Sequence, residues 1–293
     1  YVLDYVDQFT EAVVEPFAEG YLNGITPNPC IECNRRVRFS VLLDRTRALG
    51  CDVLVTGHHA RVVDDGGVFR LRKAVDGTKD QSYVLHMLDQ SALSQIRLPV
   101  GEMTKTEVRA RAAELGLRTA SKPDSQDICF VASGDYRDFI AQRHPEAAAP
   151  GNVLDTDGNV IGEHPGTSGF TIGQRKGIGV AVGSARYVLD IEPREQTITI
   201  GTYKDLLVDR CAATEMSFTH RPPRVGDQVD VKVRYRSDAV PARVESDGDR
   251  WEFSFLEPQP RAAPGQSLVM YDGEFVLGGG IIIDERSSVA PVL

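Results

Sequence analysis

Gly24-Ile25-Thr26-Pro27-Asn28-Pro29-Cys30-Ile31-Glu32-Cys33-Asn34-Arg35-Arg36-Val37-Arg38-Phe39 reads as a stiff turn that presents two thiols and runs into a cationic helix start. Two prolines fix φ and push the residue before each toward extended backbone, so the loop has little freedom where Cys30 and Cys33 emerge. A helix N-terminus with Arg35, Arg36 and Arg38 beside it favours thiolate over thiol, which makes Cys33 the first candidate nucleophile. Two other readings stay open. C-x-x-C is half of many zinc sites, although no second C-x-x-C or close Cys/His pair follows to complete one. A thioredoxin-like redox pair is the other, although that motif normally opens a βαβ helix without two prolines ahead of it.

Upstream, residues 6–22 carry Phe9, Val13, Phe17 and Tyr21 at helical spacing and form an amphipathic helix. Downstream, 39–49 is a second helix closed by Gly50. Cys51-Asp52-Val53-Leu54-Val55-Thr56-Gly57-His58-His59 then reads as a short buried strand with Cys51 in the core, ending in Gly-His-His. Ligands of open α/β sheets gather at the carboxyl ends of strands, which places Gly57 and His58 where a nucleotide would lie and leaves His59 as a polar surface residue. A strand over 68–74 follows the turn Asp64-Asp65-Gly66-Gly67, and the helix 105–115 is stopped by Gly116. This alternation indicates a mostly parallel sheet with covering helices.

Between them, Gly77-Thr78-Lys79-Asp80-Gln81-Ser82-Tyr83 could neutralise a phosphate through Lys79 and add hydrogen bonds through Asp80 and Gln81, although such a run is more often solvated surface. Lys122-Pro123-Asp124-Ser125-Gln126-Asp127-Ile128-Cys129-Phe130-Val131 repeats the logic of the first stretch, a proline-led polar loop delivering a cysteine. Cys129 alone reads as a structural thiol; beside a reactive Cys33 it is a second thiol for persulfide or disulfide chemistry.

After the helical stretch 136–143, glycines punctuate short strands, and Thr171-Ile172-Gly173-Gln174-Arg175-Lys176-Gly177-Ile178-Gly179 offers backbone approach together with two cations. A dinucleotide fingerprint is excluded there by the missing strand-turn-helix context. From about Lys204 the pattern is all-β. Residues 229–236 alternate so that Lys232, Arg234 and Arg236 share a face, and strands at 251–256, 266–271 and 275–278 indicate a small antiparallel barrel.

With 293 residues and 41% hydrophobic content the chain has room for two or three domains, divided here as 1–138, 139–203 and 204–293. Five irregularly spaced cysteines argue against a secreted disulfide framework. Neither a membrane-length apolar run nor a signal segment is visible, and the chain reads as cytoplasmic. A net charge of −9 excludes indiscriminate nucleic-acid binding, while the acid-free stretch between Glu163 and Asp190 and the cationic run from Arg35 to Arg47 fit a selective polyanion binder.

Together, Gly24 to Phe39, Thr56-Gly57-His58, Lys79 to Tyr83, Asp124 to Phe130, Phe170 to Gly179, Val233-Arg234-Tyr235-Arg236 and Pro264-Gly265-Gln266-Ser267 closely resemble the bacterial tRNA-specific 2-thiouridylase family, in order and over essentially the whole chain. The resemblance implies an α/β nucleotide-binding domain of the PP-loop type, a small central tRNA-contacting domain and a C-terminal antiparallel β-barrel. It implies ATP- and magnesium-dependent adenylation of the C2 oxygen of the wobble uridine in tRNA, followed by sulfur insertion. Cys129 would carry a persulfide delivered by a sulfur-relay protein or cysteine desulfurase. Cys33 would close a disulfide with it as thiouridine is released, or liberate sulfide from it. Gly57 would contact the nucleotide; His58, Lys79, Asp80, Gln81, Arg234, Tyr235 and Gln266 would contact tRNA; Asn28 and Cys30 would face the target base. No metal ligands are identified, and a monomer would suffice.

Two departures from the family stand out. Some members have Asp where this chain has Cys30, proposed there as an acid/base. The family's S-G-G-x-D-S phosphate loop is also missing ahead of Tyr1-Val2-Leu3-Asp4-Tyr5, which reads as the middle of a fold; the chain as written is then expected to bind ATP poorly and be inactive until an N-terminal segment restores that loop. The competing readings are a non-catalytic RNA-binding protein with a degenerate nucleotide domain, and a C-x-x-C redox or zinc protein.

Overall fold

The computed structural model describes residues 2–122, 128–131, 135–180 and 183–284. The chain is helical from 6 to 22, burying Val13, Phe17 and Tyr21 on one stripe and Val14 and Ala18 beside it. The expected regular helix is interrupted by a π-helical stretch, Thr10–Val14, directly before Pro16. Proline has no N–H for the i−4 carbonyl, and a wider turn accommodates that loss. Gly20 lies against Pro27, where a β-carbon would come within 2.3 Å of the proline ring, so the helix meets the cysteine loop with no side chain between.

The second helix starts ten residues earlier than expected. Asn28 caps it and Pro29 opens it, giving Pro29–Glu32, a π-helical Cys33–Val41 and Leu42–Ala48. Gly50, at φ +73°, ends it as expected.

Strand β1 (Leu54–Val55) is shorter than expected and pairs in parallel with a later strand at Ile96–Arg97. Leu54 and Ile96 face the core, whereas Val53, Val55 and Cys51 are exposed, which corrects the expectation of a buried strand and a core cysteine. Among the described residues β1 has one strand neighbour, so its other edge carries no strand. His59, expected at the surface, is buried.

Strand β3 (Val68–Lys73) follows the expected turn and pairs in a hairpin with β2 (Ala60–Asp65), which was not expected, and the Asp64 carboxylate accepts from the Gly67 N–H. Instead of joining the parallel pair β1 and β4 (Ile96–Arg97), β3 continues into the C-terminal sheet. The central segment holds β5 (Gly151–Leu154), β6 (Val160–His164), β7 (Tyr187–Glu192) and β8 (Thr197–Gly201) in the order β6-β5-β8-β7 around Val153, Phe170, Val188 and Ile198.

The C-terminal strands β9 (Leu207–Phe218), β10 (Gln228–Lys232), β11 (Val240–Ser246), β12 (Trp251–Pro260), β13 (Ser267–Asp272) and β14 (Phe275–Ile283) close into an antiparallel barrel, β13-β10-β11-β12-β9-β14 and back to β13. Closure leaves no open edge within the six strands, and Trp251, Phe253, Leu268 and Met270 fill the interior. One expectation fails here. β10 stops at Lys232, and Arg234 begins a turn closed by the Ser237 N–H donating to the Arg234 carbonyl at 3.2 Å. Lys232, Arg234 and Arg236 therefore do not line one strand face.

The N-terminal core does not end at the barrel. Val269, Tyr271 and Val276 pack in one cluster with Ile31, Phe39, Leu43, Leu85 and Ile96, and the buried Tyr83 hydroxyl donates to the Ser267 carbonyl at 2.7 Å. No helix among the described residues is long and apolar enough to cross a membrane.

Candidate active site

The cysteine loop is held from both sides. Asn28 Oδ1 accepts from the N–H groups of Cys30 (3.1 Å) and Ile31 (3.3 Å), which commits the side chain expected to face a base to capping the helix. From the barrel side, the Thr26 N–H donates to the Pro264 carbonyl at 2.8 Å and Gln266 Nε2 donates to the Thr26 carbonyl at 2.7 Å. Gln266, expected to contact tRNA, thus serves here to join β13 to the loop. Ile31 is buried in the core next to Cys30, and the buried Glu32 pairs with Arg36 at 2.9 Å and Arg35 at 3.5 Å.

A polar chain links the sheet to the same helix. Thr56 Oγ1 lies 2.8 Å from His58 Nδ1, His58 Nε2 lies 3.2 Å from an Arg38 guanidinium nitrogen, and Arg38 donates to Asn34 Oδ1 at 3.0 Å. Asn34 in turn donates to the Val84 carbonyl at 2.9 Å. Guanidinium only donates, so Nε2 is the acceptor and the ring proton sits on Nδ1, directed at Thr56. Burial, then Arg38 and His59, push the His58 pKa down to about 4, so the ring is neutral at physiological pH.

That shift sets the sign of a pH effect. A histidine held neutral in the fold takes up its proton more readily once unfolded, so its contribution is complete above pH 6.5 and is lost as the pH falls toward 4. His86, fully buried and pushed down to about 3, adds in the same direction. The His58 contribution is on the order of 3 kcal/mol. Urea midpoints are expected to fall steadily between pH 6.5 and 4.5, with a shallower slope in His58→Gln; an unchanged slope in that variant would contradict the assignment.

Cys129 is exposed between two anchors. Ile128 and Phe130 pack onto the first helical region, with the Phe130 ring 5.4 Å from Phe17, 5.8 Å from Phe9 and 5.3 Å from Phe139. The earlier part of this motif, including Asp124, lies outside the described residues. Cys129 acts electrostatically on both other thiols. Burial, then Cys129 and Cys33, push the Cys30 thiol up against the opposing pull of Arg38. Burial pushes Cys33 up as well, with Arg38 opposing and Cys129 adding to it. The expected low-pKa Cys33 is therefore corrected: at rest it is a thiol. It lies four residues inside the helical run, two of its three arginines are paired to Glu32, and desolvation outweighs the third.

The remaining expected positions make mostly local contacts. The Asp80 carboxylate accepts from the N–H groups of Ala74 and Ser82 and from the Ser82 hydroxyl, and Gln81 Oε1 accepts from the His59 N–H at 2.9 Å, so both side chains brace the loop that carries the partly buried Lys79. Tyr235, 38% exposed, donates to the Asp80 carbonyl at 3.3 Å; its pKa is raised by burial, Asp80 and Cys30, which places it beside the first thiol. Arg234 is half-buried, donates to the Arg261 carbonyl at 2.5 Å, and approaches Gly173 of the central segment. Gly57 is exposed, with open space where a β-carbon would stand. Among the described residues no group of three or more His, Cys, Asp or Glu could hold a metal ion.

Sequence reasoning missed Asn34 as the link to the Val84 carbonyl, and it placed Lys232 on a strand face without the ring contacts of its ammonium, 5.8 Å from the centroids of both Tyr83 and Tyr235. The i, i+4 spacing of Asn34 and Arg38 was a legible signal for the first; nothing in the sequence pairs Lys232 with the distant Tyr83.

Three family models match in order: the tRNA methyl transferase HUP domain over residues 1–133, the tRNA methyl transferase PRC-barrel domain over 137–202, and the aminomethyltransferase beta-barrel domain over 208–282. The chain is 45% identical to the tRNA-specific 2-thiouridylase MnmA of Chloroflexus aggregans over 285 residues, 96% of this chain and 79% of that protein. It is 42% identical to the protein of that name from Roseiflexus castenholzii, over 96% of this chain and 81% of the relative. The Carboxydothermus hydrogenoformans protein is 44% identical, over 96% and 78%. With HUP-type parallel pairing, central sheet and closed barrel in the same order as the matched models, the chain belongs to the MnmA family of tRNA-specific 2-thiouridylases.

Proposed function

We propose that the protein is a tRNA-uridine 2-sulfurtransferase that thiolates C2 of the wobble uridine by a persulfide route. The reading is carried by membership of the 2-thiouridylase family together with Cys30 and Cys33 on one capped turn and an exposed Cys129 whose neighbours Ile128 and Phe130 pack against the preceding helix. The matched models are named for methyl transfer and the relatives for thiolation; the free thiols of Cys30, Cys33 and Cys129 favour the second.

An adenine nucleotide fits the open approach to Gly57 at the carboxyl end of β1, where no side chain stands between ligand and backbone. ATP with magnesium supplies the adenylyl group that turns the C2 oxygen of uridine into a leaving group. This chain's residues do the rest. Exposed Cys129 accepts a sulfane sulfur from a donor protein, and its terminal sulfur attacks C2 as the activated oxygen departs. Cys33 then loses its proton and attacks Sγ of Cys129; a Cys33–Cys129 disulfide forms, the bond to the transferred sulfur breaks, and that electron pair leaves as the thiocarbonyl of the product. In the variant of the route, Cys33 attacks first and releases sulfide, which adds to C2. Lys79, Arg234 and Tyr235 serve as tRNA contacts, with Tyr235 on the side of Cys30. His58, Asp80, Gln81, Asn28 and Gln266 hold these elements in place. The reading is tested by mass spectrometry of tRNA nucleosides from cells lacking the gene: 2-thiouridine derivatives disappear and return with the gene, whereas unchanged levels reject the assignment.

A further inference from the structure

The turn 171–177 of the central segment carries Arg175 and Lys176, both exposed and, among the described residues, without a carboxylate partner. Gln174 closes the turn on itself, its Oε1 accepting from the Thr171 N–H at 3.1 Å and its Nε2 donating to the Lys176 carbonyl at 3.0 Å. The turn hangs on β7: the Gly173 N–H donates to the Val188 carbonyl at 2.8 Å, and the Val188 N–H donates to the Gln174 carbonyl at 2.9 Å. Among the described residues β7 has β8 as its one strand neighbour, and the register between them shifts from Val188 to Asp190, leaving Leu189 as the extra residue of a bulge. Arg261, just past β12 of the barrel, takes up the group this frees. Its Nη1 donates to the Leu189 carbonyl at 3.0 Å and stands 3.9 Å from Asp190 Oδ1, while its Nη2 pairs with Asp284 at 3.1 Å. Its backbone is fixed as well, the N–H donating to the Leu206 carbonyl at 2.8 Å and the carbonyl accepting from Arg234 at 2.5 Å. Arg234 lies so near Gly173 that a β-carbon there would come within 2.8 Å of its Nη2. The barrel thus holds the cationic turn at two points, and Arg261 grips β7 one residue beyond Val188, where the turn is attached.

Resting on the reading of this chain as a tRNA-modifying enzyme, we propose that Arg261 is a positioning residue for tRNA, locking β7 to the barrel so that Arg175 and Lys176 are aligned as phosphate contacts. A planar guanidinium reaches a carbonyl and a carboxylate on two different elements at once, which the single ammonium of lysine does less well. The Arg261 side chain is 24% exposed, so its pairs are screened less than those of a fully solvated arginine. Phosphate contacts fix the register of the protein on RNA without reading its sequence. A turn held out of line therefore costs affinity and lowers the number of counterions released on binding, and it does so without touching a thiol.

The test uses the full-length gene product and an unmodified tRNA transcript with a wobble uridine, titrated between about 50 and 200 mM KCl. In Arg261→Met the dissociation constant is expected to rise about tenfold at the lower salt, and the slope of its logarithm against the logarithm of salt to flatten by about 1 to 1.5. The pair Arg175→Gln/Lys176→Gln is expected to match both changes, and adding Arg261→Met to that pair to cost less than about twofold more. Arg261→Lys recovers part of the affinity. A parental slope in Arg261→Met, or a fully additive loss in the triple variant, overturns the proposal, because a side chain that only stabilises the fold leaves the slope alone and adds its effect independently. Asp284→Asn, which keeps the Leu189 bond, carries the same test with an expected loss of about threefold should the methionine variant fail to fold. Hydrogen exchange without RNA decides the brace separately: the Gly173 and Val188 amides are expected to exchange several-fold faster in Arg261→Met, and parental exchange there overturns it. A parent that binds no tRNA removes the tRNA-modification reading instead, and the exchange result still decides whether Arg261 holds the turn.

Discussion

Cys129→Ser is expected to reduce 2-thiouridine formation by about 10³-fold or more, while tRNA binding stays within about twofold of the parent. A serine hydroxyl cannot carry a sulfane sulfur, so no alternative group at that position fills the role. Because Cys129 is exposed and its loop is anchored by the neighbouring Ile128 and Phe130, exchanging sulfur for oxygen leaves those aromatic contacts in place. Cys33→Ser is expected to lose activity to a similar degree but to fail at a different point: mass spectrometry of the protein incubated with a persulfide donor shows sulfur retained on Cys129, whereas Cys129→Ser takes up none there. A non-catalytic RNA-binding protein would show neither pattern. Thiolation at the parental rate in either variant would remove the persulfide route.

The same two cysteines show what the sequence could and could not reveal. The Thr-Pro-Asn-Pro-Cys spacing announced a rigid presenting loop, and the loop is tied by the Asn28 cap and by hydrogen bonds with the Pro264–Gln266 turn. The arginines behind it announced a thiolate, and that was wrong, because the sign of the shift is a contest between charge and desolvation and only the first is visible as letters. Part of the error was avoidable. Glu32 stands three and four residues before Arg35 and Arg36, the spacing at which a carboxylate claims such neighbours.

A parallel limit applies to the barrel. Short hairpin strands were legible from alternation and turn residues, yet β9 was not resolved as an element, because Cys211, Ala212, Ala213 and Thr214 are buried consecutively and erase the alternation. Nor does local pattern state that β14 meets β9, β13 and β3, pairings that join distant parts of the chain. Residues 233–236 alternate as a strand would, but the chain must turn there to reach β11, and that demand is tertiary.

Gly265→Ala is expected to cost about 2–4 kcal/mol, lower the thermal midpoint by about 5–10 °C and loosen the cysteine loop. Gly265 sits at φ +87°, where a β-carbon would stand 2.2 Å from Ile25 Cγ2 and 3.2 Å from the Thr26 backbone. The left-handed backbone alone accounts for about 1–2 kcal/mol. The remainder comes from driving the β13 turn off the loop, which breaks the Thr26 N–H to Pro264 bond and the Gln266 bond to the Thr26 carbonyl together. Gly273, at φ +58° with open space around it, separates the two terms: Gly273→Ala carries the backbone cost without the collision. If the barrel braces the loop, iodoacetamide modifies Cys33 several-fold faster in Gly265→Ala and at the parental rate in Gly273→Ala, because only the first change lets solvent and reagent reach a thiol that burial now protects. Equal stability losses and equal alkylation rates in the two variants would mean that the contact between barrel and loop is incidental, and that the helix cap at Asn28 alone holds the thiols in place.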